Sequence, residues 1–297
     1  MKIFITGANG LLGQHLVKLL LDNRYSVIAG GKGPSRILLP ENKACRYYSL
    51  DITLNSEIDD ILSTEKPDVF VHAAAMTQVD FCEKHHDDCL NVNVTGTMNA
   101  IKNAEKYCRQ FVYISTDFVF DGKKGNYTEE DDRSSVNWYG STKIKAEDLV
   151  RHCKIPWAVV RTCLVYGNTI GGTRNNIVSW VKDKLEKKEK IKVLDDQVRT
   201  PTYVEDLARG IMQIIERKAK GVFHISGKDI MTPYAMALQT ADFYSLDKTL
   251  IEKVDASTFS QIAVRPLKTG FIIDKARREL GFEPISFQEA LRKMGDA

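Results

Sequence analysis

Tyr139 and Lys143 stand four residues apart in Tyr139-Gly140-Ser141-Thr142-Lys143. On a helix this spacing sets a phenol and an ammonium on one face, about a turn apart, so that both reach one cleft. An unperturbed phenol has a pKa of ~10, too high for efficient proton transfer near neutrality. A neighbouring cation favours the phenolate and is expected to lower that value. The spacing alone is common on surface helices, and its context gives it weight. Tyr113-Ile114-Ser115-Thr116-Asp117 sets two hydroxyls and a carboxylate at the end of an apolar run. Ligands of open α/β sheets bind beyond the carboxyl ends of the strands. Thr116 is therefore placed to hydrogen-bond a substrate carbonyl or hydroxyl beside Tyr139, and Asp117 to orient a substrate hydroxyl. Capping of the following loop is the plainer role for Ser115 and Thr116; three features converging on one sheet edge favour the catalytic one.

Upstream, Gly7-Ala8-Asn9-Gly10-Leu11-Leu12-Gly13 ends one apolar run and opens a helical pattern. Gly7, Gly10 and Gly13 serve a tight turn, close backbone approach to a pyrophosphate, and close helix–strand packing. Asn9, Leu11 and Leu12 complete the loop, and the helix N-terminus offers N–H groups and its positive dipole end to phosphates. Glycine also marks ordinary turns, but a strand before and a helix after select dinucleotide binding. Such a site usually holds the adenosine ribose with an Asp or Glu at the end of the second strand. Here that run ends Ala29-Gly30-Gly31-Lys32, with Arg36 shortly after. No acid is present, and Lys32 and Arg36 lie beyond Gly31 where a 2′-phosphate would sit. NADP is the expected cofactor and NAD the alternative; a solvated loop of scattered charges is the plainer reading of the two cations. Asp51-Ile52 is placed to contact the adenine, and Lys143 can also hold the nicotinamide ribose.

These residues need a scaffold, and the hydrophobic pattern supplies one. Strands are predicted at 2–6, 26–30, 46–49, 69–72, 111–115 and 157–161, separated by helical patterns at 11–21, 56–64, 90–108 and 139–152. Strands joined by helical crossovers indicate right-handed βαβ units and a parallel sheet. Val69, Phe70 and Val71 in succession show no polar alternation, as expected where helices cover both faces. After Gly167 the rhythm changes, with helices predicted at 175–188, 204–217, 234–244, 274–280 and 287–294 and strands at 191–194 and 222–226. The fold class expected is α/β, a Rossmann-type doubly wound parallel sheet with a smaller C-terminal α/β substrate lobe. Residues 1–166 would form the NAD(P)-binding domain, and 167–297 mainly the substrate lobe, with some elements returning to the first domain.

Composition narrows the class of partner. The chain has 297 residues, 43% hydrophobic and 27% charged, with a net charge of +3. Such a small charge gives no case for nucleic acid or a membrane surface. The Lys- and Glu-rich run from Lys182 to Lys192 reads as a solvated helix face. Six cysteines without C-x-x-C spacing are expected reduced, in keeping with a cytoplasmic protein. The apolar stretch before Gly7 is too short for a signal segment, and no run is long enough to span a bilayer. His85-His86 with Asp87-Asp88 reads as a solvated helix start, and no metal site is expected.

Gly7 to Gly13, His72-Ala73-Ala74-Ala75, Asn91-Val92-Asn93, Ser115-Thr116-Asp117 and Tyr139 to Lys143 together resemble the extended short-chain dehydrogenase/reductase superfamily. More narrowly, four stretches resemble the dTDP-4-dehydrorhamnose reductase family. They are Thr77-Gln78-Val79-Asp80 with Glu83, the run from Ser115 to Gly122, Asp195-Asp196-Gln197 with Thr200-Pro201-Thr202-Tyr203, and Arg265-Pro266. The resemblance spans nearly the whole chain. It implies NAD(P)H-dependent reduction of a 4-keto group on a nucleotide-linked deoxysugar, with Tyr139 donating the proton and Thr116 completing a triad with Tyr139 and Lys143. It implies that Ala73, Ala74 and Ala75 line the dinucleotide, that Asn93 braces the cofactor side, and that Val79 and Asp117 meet the substrate. Arg199 is the implied ligand of the substrate diphosphate, since a guanidinium binds phosphate oxygens in a fork. Asn176 is a further substrate candidate, with helix capping as the equal alternative. Homodimers are common in the superfamily.

One position departs from the resemblance. Leu164 stands where rhamnose-forming reductases carry a Trp that frames the sugar, so the reaction type carries over further than the sugar's identity. Two other readings share the fold. A nucleotide-sugar epimerase would use the same Tyr and Lys, whereas a dehydratase would place an acid where Phe118 follows Asp117. The third reading is not catalytic: the regulatory β subunit of methionine adenosyltransferase resembles this family, binds NADP and is similar around Gly31 to Arg36. Against it, Thr116, Tyr139 and Lys143 are all retained.

Overall fold

The computed structural model describes residues 1–37, 44–170, 175–259 and 261–295. The first part of the chain runs β1 (Lys2–Thr6), α1 (Leu11–Asp22), β2 (Ser26–Gly31), β3 (Cys45–Ser49), α2 (Asn55–Glu65) and β4 (Val69–His72). Then come α3 (Val79–Lys84), α4 (His86–Leu90), α5 (Gly96–Tyr107), β5 (Gln110–Thr116), α6 (Trp138–Arg151) and β6 (Trp157–Thr162). The remainder holds β7 (Val165–Tyr166), α7 (Ile177–Glu186), β8 (Ile191–Leu194), β9 (Thr202–Tyr203), α8 (Val204–Arg217) and β10 (Gly221–His224). It closes with α9 (Pro233–Phe243), β11 (Ile251–Val254), α10 (Asp274–Leu280) and α11 (Phe287–Gly295).

Seven strands form one parallel sheet in the order β10-β6-β5-β4-β1-β2-β3. The chain moves outward from β1 through β2 to β3, then crosses back to β4, so the direction of winding reverses between β1 and β4. Beyond the carboxyl ends of those two strands lies the crevice in which such sheets bind ligands. Gly7 to Gly13 follow β1, Ala73 to Ala75 follow β4, and Thr116 ends β5.

The strands read as unbroken apolar runs because each buries both faces. Ile3 and Ile5 join Leu16 and Leu20 of α1 and Ile211 and Ile215 of α8 in one cluster. Phe4, between them, points the other way and joins Phe70, Phe111, Ile58 of α2 and Ala100 of α5. Although α8 and β10 come late in the chain, they belong to this layered body: β10 pairs in parallel with β6, Val222 opposite Val159, and α8 lies beside α1. Two small parallel pairs, β7 with β9 and β8 with β11, and the helices α7, α9 and α11 make up the rest.

Most predicted elements appear within a residue or two of their expected bounds. The long helix expected at 90–108 is interrupted, however, by a π-helical turn at Asn91–Thr95. There the Asn93 side chain takes the Met76 N–H at 2.8 Å and returns a bond to its carbonyl at 3.1 Å. A single-turn π segment of this kind accommodates one side chain turned into the packing. Neither α3, which is only six residues long, nor the short β11 stands out in the hydrophobic pattern.

Candidate active site

Local sequence sets the catalytic helix tightly against the end of β5. Asn137 caps α6 by accepting the Gly140 N–H at 2.9 Å, and the Trp138 N–H donates to Glu83 at 2.9 Å. A Cβ at position 140 would lie 2.1 Å from the Phe118 carbonyl oxygen, so only glycine lets the helix come this close to the residues after Thr116. Tyr139 and Lys143 thereby reach the buried end of the sheet, 7% and 2% exposed. The Thr116 hydroxyl lies beside the Tyr139 phenol, near enough to favour its ionised form. That hydroxyl donates to Asp117 at 3.2 Å and accepts the Phe118 N–H at 3.3 Å. The loop-capping role and the juxtaposition with Tyr139 thus coexist in one side chain. Val79 packs in the same small cluster as Tyr139, with Cys82, Cys89 and Phe118.

The protonation of the pair differs from the expectation. Burial pushes the Tyr139 phenol above its ordinary value, and the Thr116 hydroxyl only partly offsets this. The Lys143 ammonium is engaged with β5. It donates to the Ile114 carbonyl at 2.8 Å and lies 4.2 Å from the centre of the Tyr113 ring. Burial lowers Lys143 to about 7, with the Glu147 carboxylate and Cys89 acting in the opposite direction. The phenol is therefore held as a proton donor beside a lysine that titrates near neutrality.

At the other end of the crevice, the loop after β1 has the shape a pyrophosphate requires. Gly7 takes φ +74°, and a Cβ there would lie 2.8 Å from the backbone of Ala73 and Ala74; one at Gly13 would lie 2.3 Å from the Gly7 carbonyl oxygen. No side chain caps α1, whose N-cap is the exposed Gly10, so the N–H groups of its first turn face outward with Leu11 and Leu12 half-buried behind them. Small residues that admit a backbone-hugging ligand, and an uncapped dipole end, fit a dinucleotide.

The side chain of Asn9 is engaged in building the neighbouring pocket. Its oxygen accepts the Arg36 N–H at 2.9 Å, and its nitrogen donates to the Pro34 carbonyl at 3.0 Å and to Tyr47 at 2.8 Å. Tyr47, on β3, donates to the Gly31 and Gly33 carbonyls, and a Cβ at Gly31 would crowd Asn9 and Tyr47. The Arg36 side chain is exposed and has no ion-pair partner among the described residues. Lys32 is paired with Asp51 at 2.8 Å. Asp51 therefore spends its carboxylate on Lys32 and Thr53, and Ile52 is 7% exposed, wedged beneath Gly96. The Ile52 side chain packs in the core, so a contact of Asp51-Ile52 with the adenine would fall to the backbone.

Two substrate candidates are engaged within the protein. Arg199 is 4% exposed, and its donors are taken up inside the protein. They reach the carbonyls of Val198 and Leu267 at 2.9 Å each, Pro266 at 2.6 Å, and the Gln197 side chain at 3.3 Å, while Nε faces Asp117 at 3.5 Å. A guanidinium so saturated has no fork to offer a diphosphate; it fastens the segment around Pro266 to the end of β5. Asp117, 4% exposed, also accepts from Thr269. Asn176 is the N-cap of α7, accepting from Val178 and Ser179 and donating to the Gly167 carbonyl at 2.7 Å, so capping accounts for its amide. Leu164, just past β6, is 37% exposed and holds φ +39°, a left-handed conformation that strains a bulky residue.

Sequence reading passed over the polar groups behind the pair. Ser115, Glu147, Arg161 and Arg133 meet on one buried carboxylate, and His72 lies between Thr6 at 2.7 Å and Thr97 at 3.2 Å, held neutral by burial with its pKa down at about 3. Only the Tyr139, Lys143, Glu147 spacing could have flagged this cluster. Among the described residues no group of three His, Cys, Asp or Glu side chains could hold a metal ion, and no helix is long and apolar enough to cross a membrane.

Comparison with known proteins places the chain in a family. Residues 1–297 match the family described as RmlD substrate binding domain. The dTDP-4-dehydrorhamnose reductase of Aggregatibacter actinomycetemcomitans is 29% identical over 306 aligned positions, covering 99% of this chain and 98% of the relative. The methionine adenosyltransferase 2 subunit beta of Bos taurus is 31% identical, covering 86% of this chain and 76% of its own. Among solved structures, the dTDP-4-dehydrorhamnose reductase of Bacillus anthracis in complex with NADP superposes with a TM-score of 0.87 at 28% identity, covering 99% and 98% of the two chains.

Proposed function

Since the chain belongs to the RmlD substrate binding domain family, we propose that it is an NADPH-dependent reductase of a nucleotide-linked 4-keto-deoxysugar. The observation that carries this reading is the meeting of Thr116, Tyr139 and Lys143 at the carboxyl end of β5, across the sheet from an uncapped glycine loop. Residues 1–166 then provide most of the cofactor site, and 167–297 most of the substrate side.

When bound, NADPH supplies hydride to the keto carbon. The chain's own residues do the rest. Gly7, Gly10 and Gly13 with the first turn of α1 receive the pyrophosphate, Ala73 to Ala75 border the dinucleotide, and Lys32 and Arg36 face the 2′-phosphate. For Lys32 this means exchanging Asp51 for the phosphate. Thr116 and Tyr139 hold the substrate oxygen, and Tyr139 gives its proton when that oxygen becomes an alkoxide. A phenol kept protonated by burial suits this direction of transfer. Phe118, following Asp117, leaves no second acid for a dehydratase.

The test is NADPH absorbance loss with freshly generated dTDP-4-dehydro-6-deoxy-L-sugar, with NADH in parallel. Stoichiometric oxidation is expected, faster with NADPH. An epimerase would turn substrate over without net consumption. The similarity to a methionine adenosyltransferase subunit favours one second reading, an NADP-binding regulatory protein. That reading predicts NADPH binding with no oxidation by any ketosugar tried.

A further inference from the structure

Behind the catalytic pair, Glu147 is fully buried and uses its carboxylate to the limit. One oxygen accepts from the Ser115 hydroxyl at 2.6 Å and Arg161 Nε at 3.0 Å; the other accepts from Arg161 Nη2 at 2.8 Å and Arg133 Nη1 at 3.2 Å. Four bonds fill the roughly four lone-pair directions a carboxylate offers. Arg161 is itself completely buried, directed also toward His224 at 3.4 Å and lying over the Phe120 ring.

Glu147 and Ser115 each sit next to a residue of the proposed site along their own element. Glu147 follows Lys143 by one helical turn, as Lys143 follows Tyr139, so the three form one stripe on α6. Ser115 precedes Thr116, and because neighbours on a strand point to opposite faces, pinning Ser115 fixes the direction of Thr116. Arg161 precedes Thr162, which lies in register with Thr116 across β5 and β6. The Glu147 cluster thus ties together the segments that carry Thr116, Tyr139 and Lys143.

We propose that Glu147 is a positioning residue for the reductase chemistry, locking Thr116, Tyr139 and Lys143 into one geometry. This rests on the reading of those three residues as the reacting group. The Lys143 ammonium faces Glu147 on its own helix, Cys89 from α4, His72 from β4, and the Tyr113 ring and Ile114 carbonyl from β5. His72 is neutral, and among the described residues Glu147 is the carboxylate acting on Lys143. Burial draws Lys143 down and Glu147 draws it up. Removing the carboxylate therefore lowers it further, and any activity that needs the ammonium is then lost at a lower pH.

The experiment compares Glu147→Gln, Glu147→Asp, Ser115→Ala and the double variant Glu147→Leu/Arg161→Met. It reads kcat and KM against pH, NADPH affinity at pH 6, thermal unfolding, and the titration of Lys143 by heteronuclear NMR. Glu147→Gln is expected to lower kcat by about 10² with KM little changed, the size of effect that misplacement near 1 Å produces. Its alkaline limb and its Lys143 titration should both move down by about one pH unit. Glu147→Asp should recover the titration but only part of kcat, and Ser115→Ala should lower kcat with the titration unmoved. Where Glu147→Gln folds poorly because Arg161 is stranded, the double variant, which removes both charges, restores the fold; it should remain slow with a lowered limb.

Recovery of wild-type kcat and pH profile in the double variant would overturn the proposal, as would an unshifted Lys143 titration in Glu147→Gln. If wild-type protein oxidised no NADPH with any ketosugar, the reductase reading would fail separately, and the Lys143 titration would still decide whether Glu147 controls that charge.

Discussion

The two ends of the crevice hold their charges in opposite ways. At the cofactor end, Lys32 is 84% exposed in its side chain and shares one bond with Asp51, and Arg36 points outward without an ion partner among the described residues. Backbone, glycine and the Asn9–Tyr47 pair do the shaping there, and the cations are free to exchange partners. At the catalytic end, Lys143, Glu147, Arg161, Arg199 and Asp117 are all buried and bonded within the protein. Exposed charges of the first kind are cheap to alter and tuned for a ligand. Buried ones of the second kind are costly to disturb, and they fix geometry rather than attract. Within one site, recognition and positioning have thus been given to different dielectric environments.

That contrast can be broken in order of decreasing effect. Tyr139→Phe removes the proton donor while leaving its packing, and turnover should fall about 10² to 10⁴-fold with NADPH affinity retained. Steady-state rates beside fluorescence titration check this; an active variant would remove Tyr139 from the chemistry. Arg199→Met strands Asp117 and the carbonyls around Pro266, and should cost roughly 3–5 kcal/mol of stability, as breaking a buried pair does. Urea unfolding measures it. A rise in substrate KM with unchanged stability would instead return Arg199 to the diphosphate. Lys32→Ala with Arg36→Ala should weaken NADPH about tenfold relative to NADH, the worth of a charged hydrogen bond, while unfolding hardly moves. Equal losses for both cofactors would show that the two cations do not read the 2′-phosphate.

Legibility followed the same division. The glycine loop could be read directly because one short segment, strand, turn and helix, carries the whole signal, and the Tyr139–Lys143 spacing became legible once Thr116 was set at a strand end. The periodicity of 3.6 and the unbroken apolar runs located most elements of the sheet. The surroundings of Arg199 were not legible, because they are made partly by Pro266 and Leu267, far along the chain, which no local pattern brings to it. Glu147 escaped for the same reason: Ser115, Arg133 and Arg161 come from separate segments, and only the fold makes them one cluster. Tyr47 shows a milder case, an aromatic on a predicted strand whose hydroxyl acquires meaning only when β3 lies beside β2.

The position of β10 bears on how the protein is made. The sheet is closed beside β6 by Gly221–His224, which leave the ribosome after β7, α7, β8, β9 and α8. Until then the edge of β6 from Ala158 to Arg161 presents unpaired backbone, with Val159 and Val160 on either side of it. An open apolar edge is a template for pairing with other chains, and pairing between distant segments is slow. The interval between synthesis of β6 and arrival of β10 is therefore the nascent chain's period of greatest exposure to aggregation, and α8, emerging just ahead of β10, covers the Val160 face of the sheet before the edge itself is paired.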